Sequence, residues 1–339
     1  MGIGHILFTA VNAVFPILLL ILLGYFLKRK GFLSSDFLAV GNKLVFRICL
    51  PCSLFVNVYE IAGIDAMRWD VIGYALAMVL VICIVGLVSA VVTTPLPARR
   101  GVIMQCAFRS NLAIIGIPLA AAIGSIQAQG IAAMVVAFAV PFINVLAVIA
   151  LSIFGEEQKE TDYRKIILEI GKNPLIIGAA MGMVALSIRE LQVQFLGGIA
   201  FSLREDAPFL YSCINELKKI STPLALIVLG GQFVFSAVKG LAKEIFVGTF
   251  LRLIVAPVLG IGLAILLTQW NVLSLGVDEY PALIALFGSP VAVSSAIMAQ
   301  QMRADGQLAV QYVMWTSLGS VVTVFITVCL MMGFGLLAV

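Results

Sequence analysis

Two short stretches, each inside a long apolar run, hold most of the residues in this chain that could do chemistry. The first reads Phe108-Arg109-Ser110-Asn111 and continues to Gly116-Ile117-Pro118-Leu119; the second reads Phe287-Gly288-Ser289-Pro290-Val291 and continues to Ser294-Ser295. Proline inside a helix removes one backbone hydrogen bond and clashes with the turn before it. Pro118 and Pro290, each with a glycine two residues ahead (Gly116 and Gly288), are therefore expected to break their helices. A half-helix that starts in apolar surroundings presents free N–H groups worth roughly half a positive charge. Such an end can receive a carboxylate without a full buried cation. Asn111 precedes Pro118 by about two helical turns, so its amide can face the side of the break. Ser110, Ser289, Ser294 and Ser295 add hydroxyls, with the plainer alternative that each lets helices approach closely or bonds its own backbone. The candidate binding set is Arg109, Ser110, Asn111, Ile117, Pro118, Leu119, Ser289, Pro290, Val291 and Ser294, and its ligand would be a small organic anion.

Arg109 and Arg252 are the two formal charges placed well inside apolar runs. A charge there costs from about 2.5 to above 10 kcal/mol, which makes each a functional candidate. The plainer reading is that a long side chain snorkels to the interface. Arg252 reads as snorkelling or as bonded to carbonyls, Arg109 as a source of positive potential or as a direct substrate contact. No Asp or Glu lies deep in an apolar run, and the one histidine, His5, stands at the N-terminal end. Proton exchange through a buried carboxylate pair therefore lacks its carrier, and membrane-embedded hydrolases and prenyltransferases lack their acidic or imidazole groups. A sodium site built from carbonyls, Ser, Thr, Asn144 and Gln232 stays open but unmarked. Cys49 and Cys52 form a CxxC without a second ligand pair, so no metal and no cofactor is expected.

The elements that must position these residues follow from composition. The chain has 339 residues, 62% hydrophobic and 11% charged, with a mean hydropathy of +1.14. Soluble domains carry about 25% charged residues, so this is an all-α polytopic membrane protein, with no nucleic-acid partner implied. Ten apolar runs are long enough to span a bilayer, at about 6–27, 44–60, 71–93, 102–124, 131–154, 174–189, 218–236, 245–267, 281–299 and 309–335. Lys28, Arg29 and Lys30 follow the first run instead of preceding it, the reverse of a cleavable signal. With the N-terminus outside, fourteen Lys and Arg fall on the inner side and five on the outer, which satisfies the positive-inside rule and puts both termini outside the cytoplasm. The hydrophilic stretch 155–173 divides residues 1–154 from 174–339, five spans each, and an odd number per half inverts one half relative to the other. Pro51 and Pro223 are 172 residues apart, as are Pro118 and Pro290, a spacing that fits inverted repeats with broken fourth and ninth spans. Asp206 to Ile220 reads as a short interfacial helix, begun at Pro208 and capped by Asp206, that leads into the seventh span.

Several motifs look familiar together. Phe15-Pro16-Ile17, Gly24-Tyr25-Phe26-Leu27-Lys28-Arg29-Lys30-Gly31-Phe32-Leu33, Asn42-Lys43-Leu44-Val45-Phe46 and Leu50-Pro51-Cys52-Ser53-Leu54-Phe55 resemble the auxin efflux carrier family. So do Asn173-Pro174-Leu175-Ile176, Thr222-Pro223-Leu224-Ala225-Leu226, Arg252 to Pro257, Pro290 to Ser294, and Met298-Ala299-Gln300-Gln301. The resemblance implies a fold like that of sodium/proton antiporters and bile-acid symporters. Spans 1, 2, 6 and 7 would form a dimerising scaffold, and spans 3–5 and 8–10 a transport domain that moves against it. It also implies a carboxylate bound where spans 4 and 9 cross, with Asn111 matching the binding Asn of the plant carriers. Ser289 and Val291 stand where the plant carriers have Asn on both sides of the proline, and the long plant loop is absent, so the likeness is to bacterial permeases for malate, malonate and related acids. The expectation is an elevator-type secondary carrier in a bacterial inner membrane, working as a homodimer. Its rivals are a sodium- or proton-coupled carrier of related fold and a sensor or channel subunit without turnover.

Overall fold

The computed structural model describes residues 3–60, 68–154, 168, 171–234 and 237–337, with side chains from residue 15 onward, Pro118 excepted. The expected linker 155–173 lies almost wholly outside the described residues. Helix α1 (Ile3–Arg29) ends on Lys28 and Arg29, cations that suit a helix C-terminus. Helix α2 (Ser35–Leu44) is capped by Ser34, whose Oγ accepts from the Phe37 N–H at 3.0 Å. It continues into α3 (Leu50–Tyr59). Then come α4 (Trp69–Thr93), α5 (Pro97–Phe108), α6 (Ile117–Ile123) and α7 (Ile126–Ile153). The second half holds α8 (Pro174–Leu196), the single turn α9 (Leu203–Asp206), α10 (Pro208–Gln232), α11 (Ala237–Phe250), α12 (Ala256–Gln269), α13 (Tyr280–Gly288), α14 (Val293–Gln301) and α15 (Gly306–Gly333). The described residues of the apolar runs lie mainly on these helices, singly or in consecutive pairs. Six helical stretches among the described residues are long and apolar enough to cross a membrane as unbroken spans.

Three prolines act in one way. Pro51, Pro118 and Pro257 each follow, by two residues, a π-turn: Val45–Cys49, Leu112–Gly116 and Leu251–Val255. A proline ring collides with the carbonyl one turn back and brings no N–H. Widening the preceding turn to i→i+5 bonds, as from Leu50 N–H to Val45 O, from Ile117 to Leu112 and from Ala256 to Leu251, absorbs both defects without breaking the rod. Pro118 therefore does not end a helix, contrary to the sequence expectation. Pro223 interrupts nothing either, since α10 runs continuously through it. The separate interfacial helix expected at Asp206–Ile220 is simply the first part of α10. Its N-cap is Ala207, and the Asp206 carboxylate instead accepts from the Ser202 N–H at 2.6 Å.

The helices assemble as two groups. In one, α1 lies along α10 and α3 along α8. Gly24 and Gly230 make the first contact: a Cβ on either would overlap a carbonyl oxygen of the facing helix, at Ile227 and Ile21. At one end of this group Tyr211 and Lys218 donate to the Glu60 carboxylate at 2.6 and 3.0 Å. Burial alone would raise the Glu60 carboxyl, but those two donors and the nearby cations Lys218 and Arg204 hold it below its ordinary value. The second group contains α4 to α7 and α11 to α15. Its ends are tied by Arg68 to Glu279 and Ser125 to Asp278 on one side, and by Arg99 to Glu244 and Asp305 on the other. Across the seam between the groups α1 packs along α15, and the side-chain hydrogen bonds there, among the described residues, are those of neutral amides. Asn42 donates to Gln300, Gln307 to the Gln232 carbonyl and Gln311 to the Val234 carbonyl.

Candidate functional site

Both broken rods belong to the second group, and they cross where each is extended. In the first, α5 stops at Phe108; Arg109 (φ −84°, ψ 93°) and Asn111 (φ −82°, ψ 46°) leave the helical region, and helical structure resumes at Leu112. In the second, α13 stops at Gly288, Ser289 is extended at φ −66°, ψ 150°, Ala292 at φ −62°, ψ 135°, and α14 begins at Val293. Ser289 is extended because a residue ahead of proline is driven out of the α region. The two segments pair antiparallel, Ser110 facing Val291. The Asn111 N–H donates to Pro290 O at 2.8 Å and the Ala292 N–H to Arg109 O at 3.0 Å. The Thr316 hydroxyl of α15 accepts from the Val291 N–H at 3.1 Å. Backbone groups that lipid could not satisfy thus find partners in the protein. The first interruption lies at Arg109–Asn111, not at Gly116–Pro118, which corrects the sequence-based placement. Gly116 serves close approach instead: a Cβ there would stand 2.9 Å from the Ala285 carbonyl oxygen of α13.

Arg252 closes the C-terminal ends. Its guanidinium donates to Ser289 O at 2.8 Å, Leu286 O at 2.7 Å, Phe287 O at 3.3 Å and Ala107 O at 3.2 Å. These are end carbonyls of α13 and α5, groups a helix cannot bond internally. Two C-termini at about half a negative charge each roughly balance one guanidinium. At 1% exposure the side chain does not snorkel; it is bonded to carbonyls, the other reading of the sequence.

Arg109 has no such balance. It is also 1% exposed, and its partners are neutral: Gln105 Oε1 at 3.1 Å, Asn144 Oδ1 at 2.7 Å, Ser294 Oγ at 3.1 Å and Met298 Sδ at 2.8 Å. Asn144 is held for this role by its own donation to Val140 O at 2.8 Å. Among the described residues no carboxylate pairs with Arg109. The N-termini that start at Leu112 and Val293 carry no side-chain cap and add partial positive charge to the same region. Around them three buried polar atoms find no partner: Ser110 Oγ, Asn111 Nδ2 and Ser295 Oγ. An unmatched cation beside free donors in a dry interior is costly, and a bound anion would relieve both.

The candidate residues divide on this geometry. Arg109, Ser110, Asn111, Pro290, Val291 and Ser294 meet at the crossing. Ser289 is fully buried and spends its hydroxyl on Ala285 O at 2.6 Å, so it shapes the break and is not free to hold a ligand. Ile117 and Leu119 lie beyond the π-turn on α6, Leu119 packed at 1% exposure; the side chain of Pro118 is outside those described. Gln105, Met298 and Thr316 belong to the crossing but were not among the sequence candidates. Gln105 had one signal, its position a helical turn ahead of Arg109.

No curated protein matches the chain. A family model described as membrane transport protein matches residues 9–328, nearly the whole of it. The end-to-end match and the rods broken and paired at mid-length agree, and the chain belongs to the membrane transport protein family, that of the auxin efflux carriers.

Proposed function

We propose that the protein is a secondary transporter of a small organic anion, a carboxylate, held where the extended segments Arg109–Asn111 and Ser289–Ala292 cross. The observation that carries this reading is Arg109, a buried cation surrounded by neutral groups and set among the unpartnered donors Ser110 Oγ, Asn111 Nδ2 and Ser295 Oγ. The carboxylate would take those donors and the N-terminus at Val293, while Arg109 supplies attraction from behind Ser294. Elevator-type alternating access is supported by the distribution of polar side-chain contacts. Ion pairs hold each group of helices together internally, and neutral amides meet across the seam. In this reading the group from α4 to α7 with α11 to α15 carries the site past a scaffold of α1 to α3, α8 and α10. The reciprocal packing of α1 on α10 and α3 on α8 is what two inverted five-span repeats would produce. Ten spans, external termini, an inner-membrane location and a homodimer joined through the scaffold complete the proposal.

A thermal-shift screen of the purified protein against mono- and dicarboxylates, followed by counterflow of any hit in liposomes, tests it. Saturable, exchange-stimulated uptake that Asn111→Ala abolishes is expected. Stabilisation by sodium or by acid pH, with none from any carboxylate, would favour a cation-coupled carrier and overturn the organic-anion reading.

A further inference from the structure

Far from the crossing, the seam between α3 and α8 carries a groove of about 300 Å³ on the outside of the bundle. Its floor is backbone. A Cβ on Gly178 would come 2.5 Å from Pro51 O, so the two helices touch there and no side chain can fill the space above. Phe55, Ile177 and Met181 form apolar walls, Ile177 and Met181 being 44% and 59% exposed. On helices that cross a membrane, exposure in the single chain is to acyl chains or to a second protein surface, not to water.

One lining residue is charged. Arg47 is exposed and makes no hydrogen bond or ion pair with any described residue, four positions into a span where a bare cation is costly. Lys43, one turn earlier, and Lys172, just ahead of the lining residue Pro174, are exposed too, so this end of the groove is basic. An apolar channel that ends in clustered cations at the edge of the hydrocarbon matches a lipid tail joined to a phosphate. A second copy fits less well. About a two-fold axis along the membrane normal it would set the same basic end against itself, and like charges oppose that contact.

We infer that the groove binds one anionic phospholipid, an acyl chain between Phe55, Ile177 and Met181 and the phosphate on Arg47. The proposal does not depend on the transport reading, because its test reads lipid and not flux. Full-length protein is purified in mild detergent, delipidated and titrated with phosphatidylglycerol, phosphatidylcholine or inorganic phosphate, with bound lipid counted by native mass spectrometry. Wild type should retain phosphatidylglycerol at least about fivefold better than phosphatidylcholine and gain no thermal stability from inorganic phosphate. Arg47→Gln should remove the preference for the anionic headgroup. Met181→Trp, which fills the groove from an exposed wall without touching its floor, should lower retention of both lipids. Equal phosphatidylglycerol retention by wild type, Arg47→Gln and Met181→Trp would overturn the site. A change of oligomeric mass in these variants with lipid retention unaltered would equally overturn it, by assigning the groove to a second copy.

Discussion

Replacing Arg109 with glutamine should separate stability from affinity. The substitution removes a buried charge that no carboxylate balances, so the desolvation penalty of holding it disappears. Four hydrogen bonds go with it, but Asn144 keeps its bond to Val140 O and the new amide can still reach a neighbour. Thermal stability should therefore stay level or rise. Affinity should move the other way. Ser294 Oγ lies 3.1 Å from the guanidinium, so an anion hydrogen-bonded to that hydroxyl sits about 6 Å from the charge. At an effective dielectric of about 20, that separation is worth about 2.8 kcal/mol, or about a 100-fold loss in Kd. Isothermal titration with the best carboxylate from the screen measures it, and Arg109→Lys, which keeps the charge, should stay within about tenfold of wild type. The wild-type affinity should also change little with ionic strength, since a buried charge is poorly screened. A Kd for Arg109→Gln within threefold of wild type would refute the electrostatic role. A loss of affinity seen only together with a fall in Tm would refute it too, by reducing Arg109 to a packing residue.

Arg252→Met should act on stability. It strips donors from four end carbonyls, and at about 0.6–1.5 kcal/mol per bond the cost is about 2–6 kcal/mol, read as a lower Tm that Arg252→Lys partly restores. Gly230→Val should leave little folded protein by size-exclusion chromatography because its Cβ meets the Ile21 backbone, whereas Gly73→Ala, with open space around it, should be neutral or slightly stabilising. The depressed Glu60 carboxyl contributes stability that is present above its unfolded value of 4.5 and is lost as pH falls through the lower folded value. The Tm difference between wild type and Glu60→Gln should accordingly be full above 4.5 and shrink progressively as pH falls below it, and a difference that does not shrink on acidification would contradict the assignment.

The helical segments were legible because an apolar run of about twenty residues has few other ways to satisfy its backbone. The break in the second rod was legible for a local reason as well: Pro290 dictates an extended Ser289. The break in the first rod was not. Nothing in Arg109-Ser110-Asn111 forbids a helix, and what opens the chain there is tertiary, two hydrogen bonds to Pro290 and Ala292 and the capping of Ala107 O by Arg252. The nearest local signal, Pro118, pointed seven residues too far along. Arg252 was hard to assign for the same reason, since its partners lie more than thirty residues away in sequence on two other helices.

Prolines in this chain therefore do two kinds of work, and the difference bears on how the site is held. Pro51, Pro118 and Pro257 sit behind π-turns that keep their rods continuous, while Pro290 alone of the candidate prolines occupies an extended segment. The shared spacing of 172 residues pairs unlike geometries, a π-turn with a break and a π-turn with an uninterrupted helix. The residues that do face one another, Ser110 and Val291, are 181 apart. Only one strand of the crossing has its conformation fixed by its own sequence; the other is held open by that strand and by Arg252. Loosening the first should close the second: Pro290→Ala permits helix through Ser289 and removes the reason for Asn111 to stay extended. The loss should fall on both half-helix N-termini together, so that Pro290→Ala weakens carboxylate binding more than any single change at Ser110, Asn111 or Ser295. If Pro290→Ala bound the anion as wild type does, the crossing could not be the element that positions the ligand.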